Sequence, residues 1–557
     1  MRFAARICIN RSLCDEEARL TAYKVLPYTI DNLVQCFVDG SKLTSVDAVR
    51  AKRHRIYFEE YFNALGAATI VAEHDYIDRD YLEDYAAYYD RCFREYPRRT
   101  HRLHFFRLAF DAEQFADTLA KSGPRQMSEA DLRQSYLGFV VVRPLPLTIV
   151  GRTCLATYPD DGGRRWYPSL RKYPIGLYGL ELEIETLAYQ EQDTVVAACA
   201  TSALWSCFQG TGKLFQHVIP PPVEITDWAG DHLPEDLVAA SSRAFPNSGL
   251  TATQMAHAIR RVGLEAFAVG TESRYGLNGV TYAYLRGRIP SLLAFQLHDN
   301  YGTPNAIHMG GHAVALTGFS LSSVAPIPYG PTGFLLRASR IDRLYGHDDQ
   351  VGPFARMVWD VVSVPAGPAN ATGVVPMKQA DVLRTSWEGV IHADPNFVLL
   401  PLYHKIRIPF SLIHDAALEL DAVLEPLRRQ FFAATPRAEW DIFLTTCNDY
   451  KASVRADYPQ FGFNLLPSLT ASLPRFLWRV IARTGNDVQL DILFDATGIG
   501  QHDLVEHVVS SGDVYAQMIV AIAIHGQATL ARLTTQTRAV FSRFVVSPVV
   551  PPAPAVP

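Results

Sequence analysis

Between residues 199 and 345 the chain reads as two helices followed by four apolar runs of strand character, and this succession constrains the fold more than any other feature. The first helix opens at "CATSALWSCF", where Ala203, Leu204, Cys207 and Phe208 recur at helical spacing and form one apolar face. The second, "TATQMAHAIRRVG", has Thr251 or Thr253 as its N-cap and stops at Gly263. The runs "EAFAVG", "IPSLLAFQL", "HAVALTGF" and "GFLLRASRIDRLY" then carry the apolar, β-branched and aromatic content of strands. The expectation is an α+β fold.

The flanks read differently. Residues 1–180 mix strand-like runs ("AATIVAEHDYI", "YLGFVVVRPLP") with one helix over "DRDYLEDYAAYYDRCFREY". In that helix Leu82, Tyr85, Tyr89, Cys92, Phe93 and Tyr96 fall on one face. "RTCLATYPDDGGRRWYPSLRKYP" is turn-rich and expected to be irregular, as is the Pro-rich loop "VIPPPVEITDWAGDHLP". Beyond residue 376, "DAALELDAVLEPLRRQFF" and "EWDIFLTTCNDYKASVRAD" read as helical, and "RFLWRVIARTGNDVQLDILFDAT" reads as a hairpin turning at Gly485-Asn486. The division expected from these shifts is an N-terminal α+β region at 1–180, a central domain at 181–375, a C-terminal α+β region at 376–546, and a Pro-rich, extended or disordered tail at 547–557.

With 557 residues, 48% of them hydrophobic, the chain is long enough for several cored domains. Its net charge of -5 supplies no global attraction to nucleic acid or anionic lipid, and the local cluster Arg98, Arg99, His101 and Arg102 reads as a solvated face. Cys8, Cys14, Cys36, Cys92, Cys154, Cys199, Cys207 and Cys447 are scattered, with no CxxC pair and no zinc-type spacing. That pattern argues against a disulfide framework and for a reducing compartment. The start, "MRFAARICINRSLCDEE", has no apolar stretch of signal-peptide length, and "VYAQMIVAIAI" is too short to cross a bilayer and reads as a buried helix. The expectation is a soluble, cytoplasmic protein without cofactor. "GTGK" lacks the spacing of a phosphate-binding loop. Glu73, His74, His101 and His104 read as hydrogen-bonded surface groups rather than metal ligands.

Cys199 has the setting of a nucleophile. A thiol attacks carbonyls as the thiolate, and a helix N-terminus favours negative charge. Cys207, two turns further in, reads as core. The imidazole such a thiolate needs is best supplied by His312 in "MGGHAVALTGF", which opens a strand after two glycines. The group orienting the imidazole falls at Asp348 or Asp349 in "RLYGHDDQVGPF". Gln192, in "YQEQDTVVAAC", can add a side-chain donor to the helix-terminal N–H of Cys199 for a developing oxyanion.

A glutamine upstream of a helix-opening cysteine, a Gly-His-Ala-Val strand and an aspartate at a strand end together resemble the papain-like cysteine peptidases. The similarity is greatest to the bacterial branch that includes the double-glycine-leader, bacteriocin-processing peptidases. "GLTATQMAHAIRRVGLEAF" resembles that branch's second helix, and "LRGRIPSLLAF" its lead-in to a central strand. The resemblance covers roughly residues 181–365. It implies a helix packed on an antiparallel sheet, with Cys199 as nucleophile, His312 as general base and acid, Asp348 as orienting acid and Gln192 as oxyanion residue. Gln190 remains a rival to Gln192, and Asp342 and Asp349 remain rivals to Asp348. The implied reaction is cleavage of a peptide or isopeptide bond. A transglutaminase-like acyl transfer and a non-enzymatic partner-binding protein are the alternatives. The flanks are expected to pack on the central domain, cover part of the Cys199 cleft and hold activity low, with 218–237 and 320–333 as movable rims.

Overall fold

The computed structural model describes residues 22–193, 195, 198–231, 249–271, 273–367, 375–458, 465–510 and 513–544. The chain is a mixed α and β protein with several sheets, organised in two compact units. The first comprises Met1–Ala266, Leu292–Gly318 and Leu344–Leu399, and the second Phe267–Ser291, Phe319–Arg343 and Leu400–Pro557. This partition is not the sequential one expected from the texture changes near 180 and 375.

The reason lies in the core of the first unit. Strands β1 (Tyr23–Pro27), β2 (Thr69–Tyr76), β3 (Thr100–Phe106), β4 (Tyr136–Val142) and β5 (Val150–Leu155) form one antiparallel sheet in chain order. Every residue of β3 and β4 is buried, so both faces are covered. Helices Ile30–Ser41 and Arg53–Leu65 bring Leu33, Phe37, Phe58 and Phe62 into the core, with the Phe62 ring 4.0 Å from that of Phe105. Val71, Phe106, Val141 and Cys154 belong to the same apolar cluster as Leu204, Trp205, Cys207 and Phe208 of the helix Cys199–Phe215. A joint that is apolar on both sides leaves no trace of a boundary in the sequence.

Several local expectations change. The helix after Asp78 runs only over Arg79–Ala87, and a 3-10 turn follows at Tyr89–Arg91. Asp80, Tyr81, Asp84 and Tyr85 are its buried residues and Tyr89 is buried in the turn, whereas Leu82 and Phe93 are exposed. Tyr89 leaves the helical path to bond the buried Asp193, a tertiary contact that overrides periodicity. The segment expected to be irregular contributes part of β5, the short β6 (Arg165–Trp166) and part of β7 (Arg171–Leu177). β7 pairs with β8 (Leu180–Thr186) across a turn at Tyr178 and Gly179, both at positive φ. Inside the Pro-rich loop, Pro222 starts a helix that runs to Gly230, as proline at the first helical position allows. His104 is hydrogen-bonded but fully buried, between the Tyr136 hydroxyl and Glu73, and Arg102 is also buried on Glu73.

The second half of the first unit is built on a closed strand path. β9 (Glu265–Gly270), β10 (Ser291–Asp299) and β11 (Ile307–Leu321) come first in sequence. The short strands β12 (Pro328–Tyr329) and β13 (Phe334–Leu336) precede β14 (Ile341–Asp348), β15 (Gly352–Pro365), β16 (Met377–Arg384) and β17 (Ile391–Leu402). The order is β10-β11-β14-β15-β16-β17, and β10 also pairs with β17, so the path returns to its start. β9 adds to β17 and β6 to β11. Helix Ala252–Arg261 carries a capping box between Thr251 and Gln254, which selects Thr251 over Thr253 as the cap.

In the second unit β12, β13 and three further antiparallel strands, β18 (Glu439–Thr446), β19 (Phe476–Thr484) and β20 (Asp487–Asp495), form a sheet completed by β21 (Val505–Ser510). The β19–β20 hairpin turns at Gly485-Asn486 as expected. "EWDIFLTTCNDYKASVRAD" is helical only in its second half, Cys447–Asp457, because its first half is β18. "VYAQMIVAIAI" lies in the helix Asp513–His525. No helix among the described residues is long and apolar enough to cross a membrane. The tail at 547–557, Cys8 and Cys14 lie outside the described residues.

Candidate active site

Cys199 is the first residue of its helix, and the cap residue Ala198 offers no side-chain acceptor to the N–H groups of the first turn. Cys199 and Ala200 of that first turn line a pocket. The pocket has a volume of about 390 Å³ and is walled by Ala294 and Gln296 of β10, by Gly311 and His312 of β11, and by the start of the Thr251-capped helix. His312 is 5% exposed.

The imidazole is fixed on every side. Its Nε2 donates to Asp348 Oδ1 at 3.0 Å, and the ring lines one pocket with Cys199. The Phe295 and Trp387 rings meet it edge-to-face, with centroids 5.5 and 5.7 Å away. Asp348 ends β14 and is itself fully engaged. Its Oδ1 also accepts from the Gln350 backbone N–H at 3.1 Å, and its Oδ2 accepts from Trp387 Nε1 at 2.7 Å. Arg53 lies over the Trp387 ring, 4.3 Å from its centroid.

The electrostatics follow from this packing. Burial works against a charged His312, but the charge and hydrogen bond of Asp348, the hydrogen bond with Cys199 and the charge of Asp349 outweigh it. The imidazolium is therefore held well above the usual histidine range. Asp348 is also buried, yet His312, Trp387 and the Gln350 amide hold its carboxyl below the ordinary carboxylate range. Asp349 differs. Neither of its carboxyl oxygens has a hydrogen-bond partner among the described residues, although Oδ1 is 3.6 Å from His312 Nε2. Burial pushes its carboxyl up to about 7, against the pull of His312 and with the added repulsion of Asp348 and Glu191.

The structure thus brings Cys199, His312 and Asp348 together, with Asp349 beside them, and leaves Asp342, Gln190 and Gln192 apart. Asp342 lies six residues before Asp348 on β14, roughly 20 Å away at the rise of an extended strand. Gln192 lines a different pocket, of about 450 Å³, with Lys52, His54, Glu191, Asp349 and Gln350. Gln190 is buried, and neither glutamine lines the Cys199 pocket. Residues 189–191 are pinned in that course by the bridge of Tyr189 to Thr153, the Glu191 contact to the Val150 N–H and the Arg143 contact to the Glu191 carbonyl. These partners are 36 or more residues away, so the sequence carried no sign of them. Trp387 was missed for the same reason. It lies beyond β16, and only the closed strand path returns it to Asp348.

The flank also sits differently from the expectation. No described residue before Cys199 lines its pocket, and neither 218–231 nor 320–333 does, while 232–237 of the expected rim lie outside the described residues. The N-terminal region instead supports the triad from behind. His54 Nε2 donates to the Asp349 carbonyl at 3.0 Å, Tyr189 donates to the same oxygen at 3.2 Å, and Tyr57 donates to the Pro353 carbonyl at 2.6 Å.

His312, Asp348 and Asp349 stand close enough together to hold a metal ion. The donor set does not suit one, because His312 Nε2 and both Asp348 oxygens are already engaged, and only Asp349 has oxygens to offer. Neither a family model nor a curated protein matches the chain.

Proposed function

We propose that the protein is a papain-like cysteine peptidase in which Cys199 is the nucleophile, His312 the general base and acid, and Asp348 the orienting acid. The observation that carries this reading is the position of His312, bonded to a buried carboxylate and lining the same pocket as a helix-opening thiol. The Cys199 proton passes to His312, and the sulfur attacks the substrate carbonyl carbon, forming a C–S bond. The oxyanion is received by uncapped N–H groups of the helix's first turn. Return of the proton from His312 to the leaving nitrogen breaks the C–N bond. Water then attacks the thioester with His312 accepting its proton, and the C–S bond breaks to regenerate the thiol.

The test is the rate at which iodoacetamide alkylates each cysteine near neutral pH. Burial pushes Cys36 and Cys154 up to about 12 and Cys207 higher still, which makes these thiols slow. Cys92 and Cys447 are the part-exposed competitors among the described residues. Cys199 should react well ahead of both, and His312→Ala should remove that lead. Peptide hydrolysis should be abolished in Cys199→Ala with folding intact. Alkylation of Cys199 no faster than of Cys92 and Cys447 removes the nucleophile and with it the peptidase reading.

A further inference from the structure

The pocket beside Cys199 holds a polar group that the steps above do not use. Gln296 on β10 lines it, and its Oε1 lies 2.9 Å from His308 Nε2. With the oxygen tied to His308, the amide is oriented and its NH2 end has no partner among the described residues. A Cβ on Gly311 would lie 3.6 Å from Gln296 Nε2 and 3.8 Å from its Oε1. The amide therefore lies against the residue just before His312, at a place where no side chain covers it. Thr251 and the Gln254 oxygen are committed to the capping box, and Asn396 is a further polar side chain on the lining. Apart from His312, no charged side chain among the described residues lines the pocket.

We propose that Gln296 is a substrate-binding residue, whose amide N–H donates to a main-chain carbonyl of an uncharged peptide segment lying across Gly311. This rests on the peptidase reading and adds to it the substrate's chemistry, an extended and uncharged stretch of peptide. A donor of this kind contributes about tenfold in affinity for the group it holds.

Two probes separate this contact from the nucleophile. Iodoacetamide alkylates Cys199 with loss of iodide and needs no peptide contact. Acetyl-Ala-Ala-alaninal adds reversibly, its carbonyl carbon bonding to sulfur and its oxygen taking the thiol proton, and so protects Cys199 from alkylation. The full chain, Gln296→Met and His308→Ala are compared. Alkylation should stay within about twofold in all three, while Gln296→Met should need about tenfold more aldehyde for the same protection. His308→Ala, which frees the amide without removing it, should show a smaller loss. Equal protection of wild type and Gln296→Met overturns the assignment, as does a parallel slowing of alkylation in that variant, which would mark Gln296 as structural. Failure of the aldehyde to protect wild type also overturns it while leaving Cys199 a nucleophile. Alkylation of wild type that does not favour Cys199 overturns the peptidase reading itself, and this contact with it.

Discussion

Trp387 Nε1 donates to Asp348 Oδ2 at 2.7 Å, the oxygen that His312 does not use, while the edge of the same indole meets the imidazole. One side chain thus holds both the acid and the base that the acid orients. Trp387→Phe keeps the aromatic contact and removes the donor, leaving a buried carboxylate oxygen unpartnered at a cost of about 1–3 kcal/mol. The preferential alkylation of Cys199 should fall about tenfold, and the urea midpoint should drop with no change in slope. A Phe variant matching wild type in both measurements would detach Trp387 from the site.

The raised His312 value fixes the direction of a pH effect. Its folded value lies well above the roughly 6.5 of an unfolded histidine, so its stabilisation is complete below that pH and is lost as pH rises through the folded value. Asp348 is the opposite case. Its folded value is depressed, so its contribution is present above the unfolded carboxylate value and is lost as pH falls through the folded one. Asp348→Asn should lower peptide turnover at least about a hundredfold and shift its alkaline limb down towards the ordinary histidine range. Asp342→Asn, remote on β14, should change neither. pH–rate profiles of these variants beside Asp349→Asn decide the acid, and a larger loss in Asp349→Asn would exchange the two roles.

Asp349 itself should be a stability liability. Its carboxyl is pushed up to about 7, so its contribution is favourable below the unfolded value near 4 and is lost as pH rises towards 7. Asp349→Asn keeps the shape and removes the charge. Its stability relative to wild type should improve between pH 4.5 and pH 7.5, by an amount on the order of a few kcal/mol. Urea unfolding at the two pH values measures this, and a constant difference would mean that Asp349 does not titrate in that interval.

The parts of the fold and site legible in the sequence were those set by local chemistry. The cap at Thr251, the stop at Gly263, the Gly485-Asn486 turn and the opening of a helix at Cys199 each depend on a few neighbouring residues. His312 and the Asp348-Asp349 pair could be singled out from an apolar strand and a strand end, although His312 lies within β11 rather than at its opening. What could not be read depends on distant pairing. The β10–β17 closure returns Trp387 to Asp348, the Tyr189–Thr153 bridge carries Gln192 away from Cys199, and Asp193 draws Tyr89 out of its helix. Each joins residues tens of positions apart whose types are unremarkable in isolation.

The N-terminal region gives the last prediction, because its contacts reverse the expectation that it covers the cleft. His54 donates to the Asp349 carbonyl and Tyr57 to that of Pro353, on either side of the turn that follows Asp348. Burial lowers His54 to about 4, so it is neutral near pH 7 and serves as a hydrogen-bond donor rather than a charge. The helix Arg53–Leu65 also contributes Tyr57, Phe58, Tyr61 and Phe62 to the core. Removing residues 22–65 should therefore unmask nothing. It should expose apolar surface, free the Asp348–Asp349 turn and abolish the preferential alkylation of Cys199. Tyr57→Phe tests the same support without unfolding the unit, since it removes one donor and should lower stability by about 1 kcal/mol and alkylation by severalfold. A truncated chain that stays folded and alkylates Cys199 faster than the full chain would show that the region restrains the site rather than supports it.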